Sequence, residues 1–280
     1  MAAAEFRESL ATLAKNPVLW IPGIVGGVIG AGMWLLYALS GTFFVSKLLV
    51  ILALVILFLI AGMIQVISDG QITVRSLITG GGRSFFRILL PQLVIIFVLM
   101  LILTIIVVPL TLAGISSDQS LISLLFVSIA VPLFMLTFFF DTAAVFENRH
   151  VFDSIARSVQ IVVQKSGEVA SFYLLGAGFF FGLIFSMMIL WEAFLYNQLQ
   201  PLMNYNETQI QAISPDQIVA MLGPSGMWIT AGLIFLGVTI LIPVLYSYKV
   251  CFFRAISGRM TLTVQQIGGE YDSKGRWYKY

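Results

Sequence analysis

Apolar and polar positions along the chain alternate between two textures. Six runs are nearly free of charge and long enough to cross a hydrocarbon core of about 30 Å at about 20 residues per crossing. They cover residues 18–39, 47–67, 88–112, 121–140, 169–191 and 225–248. Between them lie segments carrying both charge signs, of which the most informative runs from Phe140 to Leu175. Within it Phe152, Ile155, Ala156, Val159, Val162 and Val163 follow the i, i+3, i+4, i+7 rule. Asp153, Ser154, Arg157, Ser158, Gln160, Gln164 and Lys165 fill the opposite face. This periodicity predicts an amphipathic helix over 150–165, lying on a membrane surface or against a helix bundle, with its apolar face buried.

Two further segments read the same way. Over 2–15, Phe6, Leu10, Leu13 and Ala14 share one helical face, Glu5, Arg7, Glu8, Thr12 and Lys15 take the other, and Asn16-Pro17 breaks the helix. Over 70–79 a weaker amphipathic turn built on Ile72, Val74, Leu77 and Ile78 is expected to end at Gly80-Gly81-Gly82. That glycine-rich stretch lacks the G-x-x-x-x-G-K-[ST] spacing of a phosphate loop. The chain is therefore expected to be an all-α integral membrane protein, one polytopic domain over 1–280, with six transmembrane helices and amphipathic cytoplasmic surface helices. Each surface helix precedes two spans, so the pattern reads as a threefold repeat of surface helix plus transmembrane hairpin, starting near Ala2, Gly70 and His150. Two-span units keep one orientation in every copy, unlike inverted repeats.

Composition strengthens the membrane reading. The 280 residues are 59% hydrophobic and 10% charged, with mean hydropathy +1.00, against about 25% charged in soluble domains. A net charge of +2, dispersed along the chain, gives no footprint for nucleic acid. One cysteine and one histidine cannot assemble a disulfide framework or a Cys/His zinc site within one chain, and no cofactor is expected. Glu5 and Glu8, with no short apolar core and cleavage site after them, argue against a cleaved signal peptide, so the first span should act as an uncleaved anchor. All the lysines and arginines except Lys47 fall on one side of the six-span threading, which places both termini in the cytoplasm and the protein in a cell membrane.

Candidate chemistry is sparse. Ionisable groups inside spans mark proton relays and ion-coupled transport, and here Asp141 and Glu168 sit at the cytoplasmic boundary and Glu192 at the far one, with Gln65 and Gln92 the polar groups nearest the cytoplasmic span ends. Asp141, Glu147 and Glu168 read as interfacial partners of Arg149, Arg157 or Lys165. His150 lies in a charged turn and reads as a surface residue. No catalytic, metal or cofactor-binding residue is assigned. Cys251 follows the last span, where palmitate can attach, and Asn206-Glu207-Thr208 is a glycosylation sequon on the expected exterior. Gly23, Gly26, Gly27 and Gly30 in the first span, and Gly178 and Gly182 in the fifth, have small-xxx-small spacing, read as packing positions or as a cavity or dimer face. Pro132 is expected to kink the fourth span. The basic and aromatic residues after Lys249 read as an interfacial tail.

The central half, from about Ser68 to Leu175, resembles a prokaryotic group of six-helix membrane proteins. That group includes the membrane domain joined to some glycerophosphodiester phosphodiesterases and small stand-alone relatives. The resemblance is carried by Gly70-Gln71, Arg75-Ser76-Leu77, Pro91, Val108-Pro109 and Asp153-Ser154-Ile155-Ala156-Arg157-Ser158. Relatives often carry tryptophan where this chain has Val159, and an aromatic-rich stretch where it has Gly167-Glu168-Val169. The resemblance implies the six-helix fold but no functional residue, and the phosphodiesterase's catalytic domain has no counterpart in the chain. The leading expectation is a non-enzymatic structural or partner-binding module, contacting the lipid bilayer and receiving a protein partner or lipid head groups at the 150–165 helix. The alternative is a membrane transport component for an uncharged or lipid-like substrate, energised by a separate subunit, with Pro132, Pro243 and the span glycines allowing bending.

Overall fold

The computed structural model describes residues 2–112, 119–200, 206, 214–266, 269–271 and 277–279, without the side chains of 43, 44, 119–121, 215, 216 and those beyond 258. In chain order the elements are α1 (Ala2–Lys15), a 3-10 turn (Pro17–Trp20), α2 (Ile21–Ser40), α3 (Thr42–Asp69), α4 (Val74–Leu112), α5 (Gln119–Thr137) and α6 (Phe140–Phe146). They continue as α7 (Val151–Gln164), α8 (Ser166–Phe194), α9 (Tyr196–Leu199) and α10 (Pro215–Gln266), the last interrupted at Gly223. Strands β1 (Gly269–Tyr271) and β2 (Trp277–Lys279) pair antiparallel through Gly269 with Lys279 and Tyr271 with Trp277. Among the described residues six helical stretches are long and apolar enough to cross a membrane: Pro17–Ser40, Val45–Asp69, Val74–Leu112, Ile122–Phe146, Ser166–Phe194 and Gln217–Gly258.

Local chemistry sets several of these limits. Asn16 folds back through Nδ2 onto the Thr12 carbonyl, and Pro17 then opens the 3-10 turn, whose Trp20 Nε1 donates to Leu13 O at 3.2 Å. Gly70 ends α3 in the left-handed region (φ 73°) and donates its N–H to Val66 O, a conformation that costs a side-chain-bearing residue more. Thr73 and Ser76 then cap α4 reciprocally: Ser76 N–H donates to Thr73 Oγ1 at 3.1 Å and Thr73 N–H to Ser76 Oγ at 3.0 Å.

The glycine triplet does not end the surface helix expected at 70–79. Helix α4 passes through Gly80–Gly82 without a break and merges that segment with the third apolar run into one 39-residue helix, about 58 Å long at about 1.5 Å per residue. The reason is tertiary. A Cβ on Gly81 would lie 2.8 Å from Phe58 O, and one on Gly62 of α3 would lie 2.2 Å from Leu77 O, so the glycines are where two backbones meet. Ser84 fixes the register by donating to Gln65 Oε1 at 2.6 Å, while Gln65 Nε2 donates to the Asp69 carboxylate.

A second glycine seam joins α2 to α10. A Cβ on Gly23 would meet Thr239 O at 2.3 Å, and one on Gly27 would meet Phe235 O at 2.7 Å. The first-span glycines are thus packing positions. Gly178 and Gly182 of α8 have nothing within 4 Å of a built Cβ, so their matching spacing seats no neighbour within the described chain. Trp34 Nε1 donates to Met227 O and Trp191 Nε1 to Thr230 Oγ1, tying α2 and α8 to the outer part of α10.

The surface helices are rolled away from the orientation that their apolar stripes predict. In α7 the residues packed on the bundle are Ser154, Ser158 and Ile161, while Phe152 is 73% and Val163 65% exposed. In α1 the buried set is Ala2, Glu5, Ser9 and Leu13, and Leu10 is exposed. Serine is small and returns its hydroxyl to its own helix, Ser9 to Phe6 O and Ser154 to Val151 O, so these faces approach the bundle closely. The expectation that Ser154 and Ser158 face water is corrected.

Candidate functional site

The site grows from a discontinuity in the fourth apolar run. Helix α5 holds Pro132 in its interior and ends at Thr137, and a turn at Phe138 and Phe139 separates it from α6. The carbonyls at the end of α5 lose their helical partners there. Tertiary donors replace them: Tyr173 OH donates to Met135 O at 2.6 Å and Ser158 Oγ to Leu136 O at 2.9 Å. Ser158 Oγ also accepts the Phe139 N–H at 2.9 Å, so one α7 hydroxyl bridges both sides of the break.

The break turns Asp141 inward, where Lys249 Nζ donates to its Oδ2 at 2.7 Å. Both residues are buried, Asp141 at 4% exposure and Lys249 at 5%. The ammonium also lies 4.2 Å from the centroid of the Phe138 ring. Asp141 Oδ1 accepts the Thr142 N–H at 2.6 Å, so both carboxylate oxygens are engaged. This pairing corrects two expectations. Asp141 does not pair with Arg149, Arg157 or Lys165, and Lys249, counted with the basic residues that follow the last apolar run, lies buried within α10, which runs on to Gln266.

Beside the ion pair lies a cavity of about 360 Å³ between α3, α4, α5, α6 and α10. Leu57, Ile60, Ile88, Ile95 and Phe134 give it apolar walls, and Gln92, Thr137, Asp141, Tyr246 and Lys249 supply polar groups. Because the pair is neutral as a unit and its members satisfy each other, the cavity offers hydrogen bonds and dispersion rather than net charge. A guest with an apolar body and a small uncharged polar end fits that lining.

Immediately after α6, Glu147 gathers groups from three segments. Its Oε1 accepts Arg157 Nε of α7 at 3.0 Å and Ser257 Oγ of α10 at 2.8 Å, while Oε2 takes Arg149 Nε. Partial burial pushes the Glu147 carboxyl up, and the contacts from Arg149, Ser257 and Arg157 more than reverse this, holding it below the ordinary 4.5. Asn148 follows with φ 52°, a left-handed conformation that asparagine tolerates better than most side chains, and its Oδ1 accepts Arg87 Nη1 of α4. An aromatic stack closes the same end. Phe172 of α8 lies 4.5 Å from both Tyr248 and Phe252 of α10, and Phe6 of α1 meets Tyr248 edge-on at 5.1 Å.

The other residues singled out from sequence lie as follows. Glu147 does pair with Arg149 and Arg157. Glu168 has a buried carboxylate oxygen without a hydrogen-bond partner among the described residues, and Glu192 is exposed on α8. His150 is exposed at the start of α7, its carbonyl accepting Ser154 N–H. Cys251 is 3% exposed and faces the core. Of the sequon only Asn206 falls within the described residues, and the two others lie outside them. Among the described residues no three of His, Cys, Asp and Glu gather as metal ligands would. Sequence reasoning missed Lys249, Ser158 and Tyr173. The signal available for Lys249 was a lone cation in a run from Leu245 to Phe253 whose other residues, Ser247 apart, are apolar or aromatic. No protein-family model, curated protein or solved structure matches this chain.

Proposed function

We propose that the chain is a non-enzymatic, multi-pass protein of a cell membrane, threaded six times with both termini in the cytoplasm, that serves as a structural module receiving a partner on its cytoplasmic surface helices. The observation carrying this reading is the three-sided use of α7. Ser154, Ser158 and Ile161 seat it on the bundle, Phe152 and Val163 form an apolar edge for the bilayer interface, and Asp153, Gln160 and Gln164 stand exposed on the remaining side. A helix docked this firmly and still bare on its polar side is a platform. The threefold repeat of surface helix plus hairpin belongs to the same proposal, as does kinship with the six-helix group, supported by the Gly70 turn, the Arg75-Ser76-Leu77 cap and the Ser154–Ser158 face.

Two experiments test it. Cysteines placed at Ser117 and Asn204 should react with an impermeant thiol reagent outside intact cells, and one at Gln160 should not; labelling of all three would sink the threading. Purification in mild detergent should then retain a stoichiometric partner that Gln160→Arg/Gln164→Glu releases without lowering the melting temperature. A partner unaffected by that change, or none, removes the platform reading.

The cavity beside Asp141 and Lys249 favours a second reading, a transport component for an uncharged or lipid-like substrate. A copurifying ATPase together with loss of uptake in Ile95→Trp, which would fill the cavity, would replace the first reading with this one.

A further inference from the structure

We propose that a cleft between α4 and the turn before α7 binds the phosphate of an anionic phospholipid, whose acyl chain lies along the outer face of α4. The proposal deepens the reading above, since it rests on the cytoplasmic placement of this turn. The cleft has a volume of about 320 Å³ and is lined by Phe86, Arg87, Leu90, Arg149, His150 and Val151, together with Asn148.

Three observations converge on an anion with an apolar tail. The first is unbalanced positive charge. Arg87 makes no salt bridge among the described residues; its bond is to the uncharged amide oxygen of Asn148. Arg149 is held by Glu147, but the same carboxylate also takes Arg157, so one negative charge serves two guanidinium groups. Arg83, one turn before Arg87 on α4, adds another exposed cation to this side, and the nearest acid along α7 is the exposed Asp153. A phosphate supplies the missing charge and matches the fork geometry of arginine.

The second observation is an apolar lane leading out of the cleft. Phe86, Leu90, Leu93 and Phe97 recur at i, i+4, i+7 and i+11, so they share one face of α4, and all four are exposed, Phe97 at 68%. The lane begins in the cleft with Phe86 and Leu90 and continues into the span, as an acyl chain does below its head group. A soluble phosphate would have no use for it.

The third is depth. The cleft sits where α4 passes from its basic first part, with Arg75, Arg83 and Arg87, into its uncharged membrane-length run, and where α7 turns Phe152 outward. That is the level of lipid phosphates in a leaflet whose anionic lipids attract clustered arginines.

The test measures the lipid retained by purified protein after exchange into mixed micelles of phosphatidylglycerol and phosphatidylcholine, read by mass spectrometry. Wild type should prefer phosphatidylglycerol, and Arg87→Gln and Arg149→Gln should each reduce the preference about fivefold, the factor expected from about one arginine–anionic-surface interaction. Arg254→Gln, which breaks the Glu8 pair elsewhere, should leave it unchanged. Glycerol 3-phosphate should not compete; if it does, the site is one for soluble phosphate and the lipid assignment is wrong. Photo-crosslinking of wild type with a tail-labelled phosphatidylglycerol should map to residues 86–97, which keeps the test decisive if a variant fails to fold. Crosslinks elsewhere, or equal preference in wild type and both variants, overturn the proposal. Wrong threading would appear in the thiol labelling with lipid preference intact, so the two failures are separable.

Discussion

A single lysine shows how burial reassigns a residue. By composition Lys249 belongs with the basic residues after the last span; in the fold it is sealed against Asp141 and Phe138. Moving both charges out of water is costly, and removing one alone strands the other. Asp141→Asn or Lys249→Met should each destabilise the protein by about 3–5 kcal/mol, whereas the double variant Asp141→Leu/Lys249→Met should recover much of the loss. Unfolding in detergent measures this, and a double variant as unstable as the sum of the singles would show that the pair is not coupled. Glu147 permits a pH test. Its folded carboxyl titrates below the ordinary 4.5, so its contribution is fully present above that value and is lost as pH falls through the folded pKa. The gap in melting temperature between wild type and Glu147→Gln should therefore be constant near neutrality and close below pH 4.5.

At the scale of elements, identical sequence spacing has opposite consequences in different helices. Gly62 and Gly81 hold α3 against α4, and Gly23 and Gly27 hold α2 against α10, while Gly178 and Gly182 face open space on α8. Gly62→Leu must push α3 off Leu77 O and should cost several kcal/mol, in the range of severe overpacking, about 3 kcal/mol or more. Gly178→Leu should change stability by less than about 1 kcal/mol and gains slightly in helix propensity. Equal melting of the two variants would contradict the seam. The amphipathic helices teach a related lesson. Their apolar stripes were legible from period alone, but a stripe states only what avoids water, and bilayer and bundle satisfy it equally. The serine faces decided the docking. Ser154→Asp, which places a charge on a fully buried position, should destabilise the fold by several kcal/mol (about 1–3 for an unsatisfied polar group, more for a charge), and Gln160→Asp on the exposed side should not.

Across the whole molecule, packing is concentrated at one end. Phe139, Phe172, Tyr248, Phe252 and Phe253 form a closed core to which α1 adds Ala2 and Phe6, Leu13 of α1 packs in a second core with Leu19, Met63 and Ile64, and the outer parts of α3, α4, α5 and α8 expose long apolar rows such as Leu49–Ile51 and Phe181–Phe185. Deleting residues 2–16 should therefore lower the melting temperature by about 10 °C or more, about 2–3 kcal/mol or more at several degrees per kcal/mol, although α1 lies outside the six membrane-length stretches; an unchanged melting temperature would show that α1 is an appendage. Six membrane-length apolar helices and the α1 limit at Asn16-Pro17 were determined by the sequence alone, because they depend on hydropathy, period and local backbone preference within a few residues. Only the tertiary structure decided that α4 runs through its three glycines, that the fourth run breaks at Phe138 and Phe139, that Lys249 meets Asp141 across 108 positions, and that α1 and α7 lie on their serine faces. Each of these rests on which distant backbone or charge lies opposite. A helix tolerates glycine when a neighbour fills the space, breaks where outside donors such as Ser158 and Tyr173 take its carbonyls, and buries a cation where a carboxylate arrives to meet it.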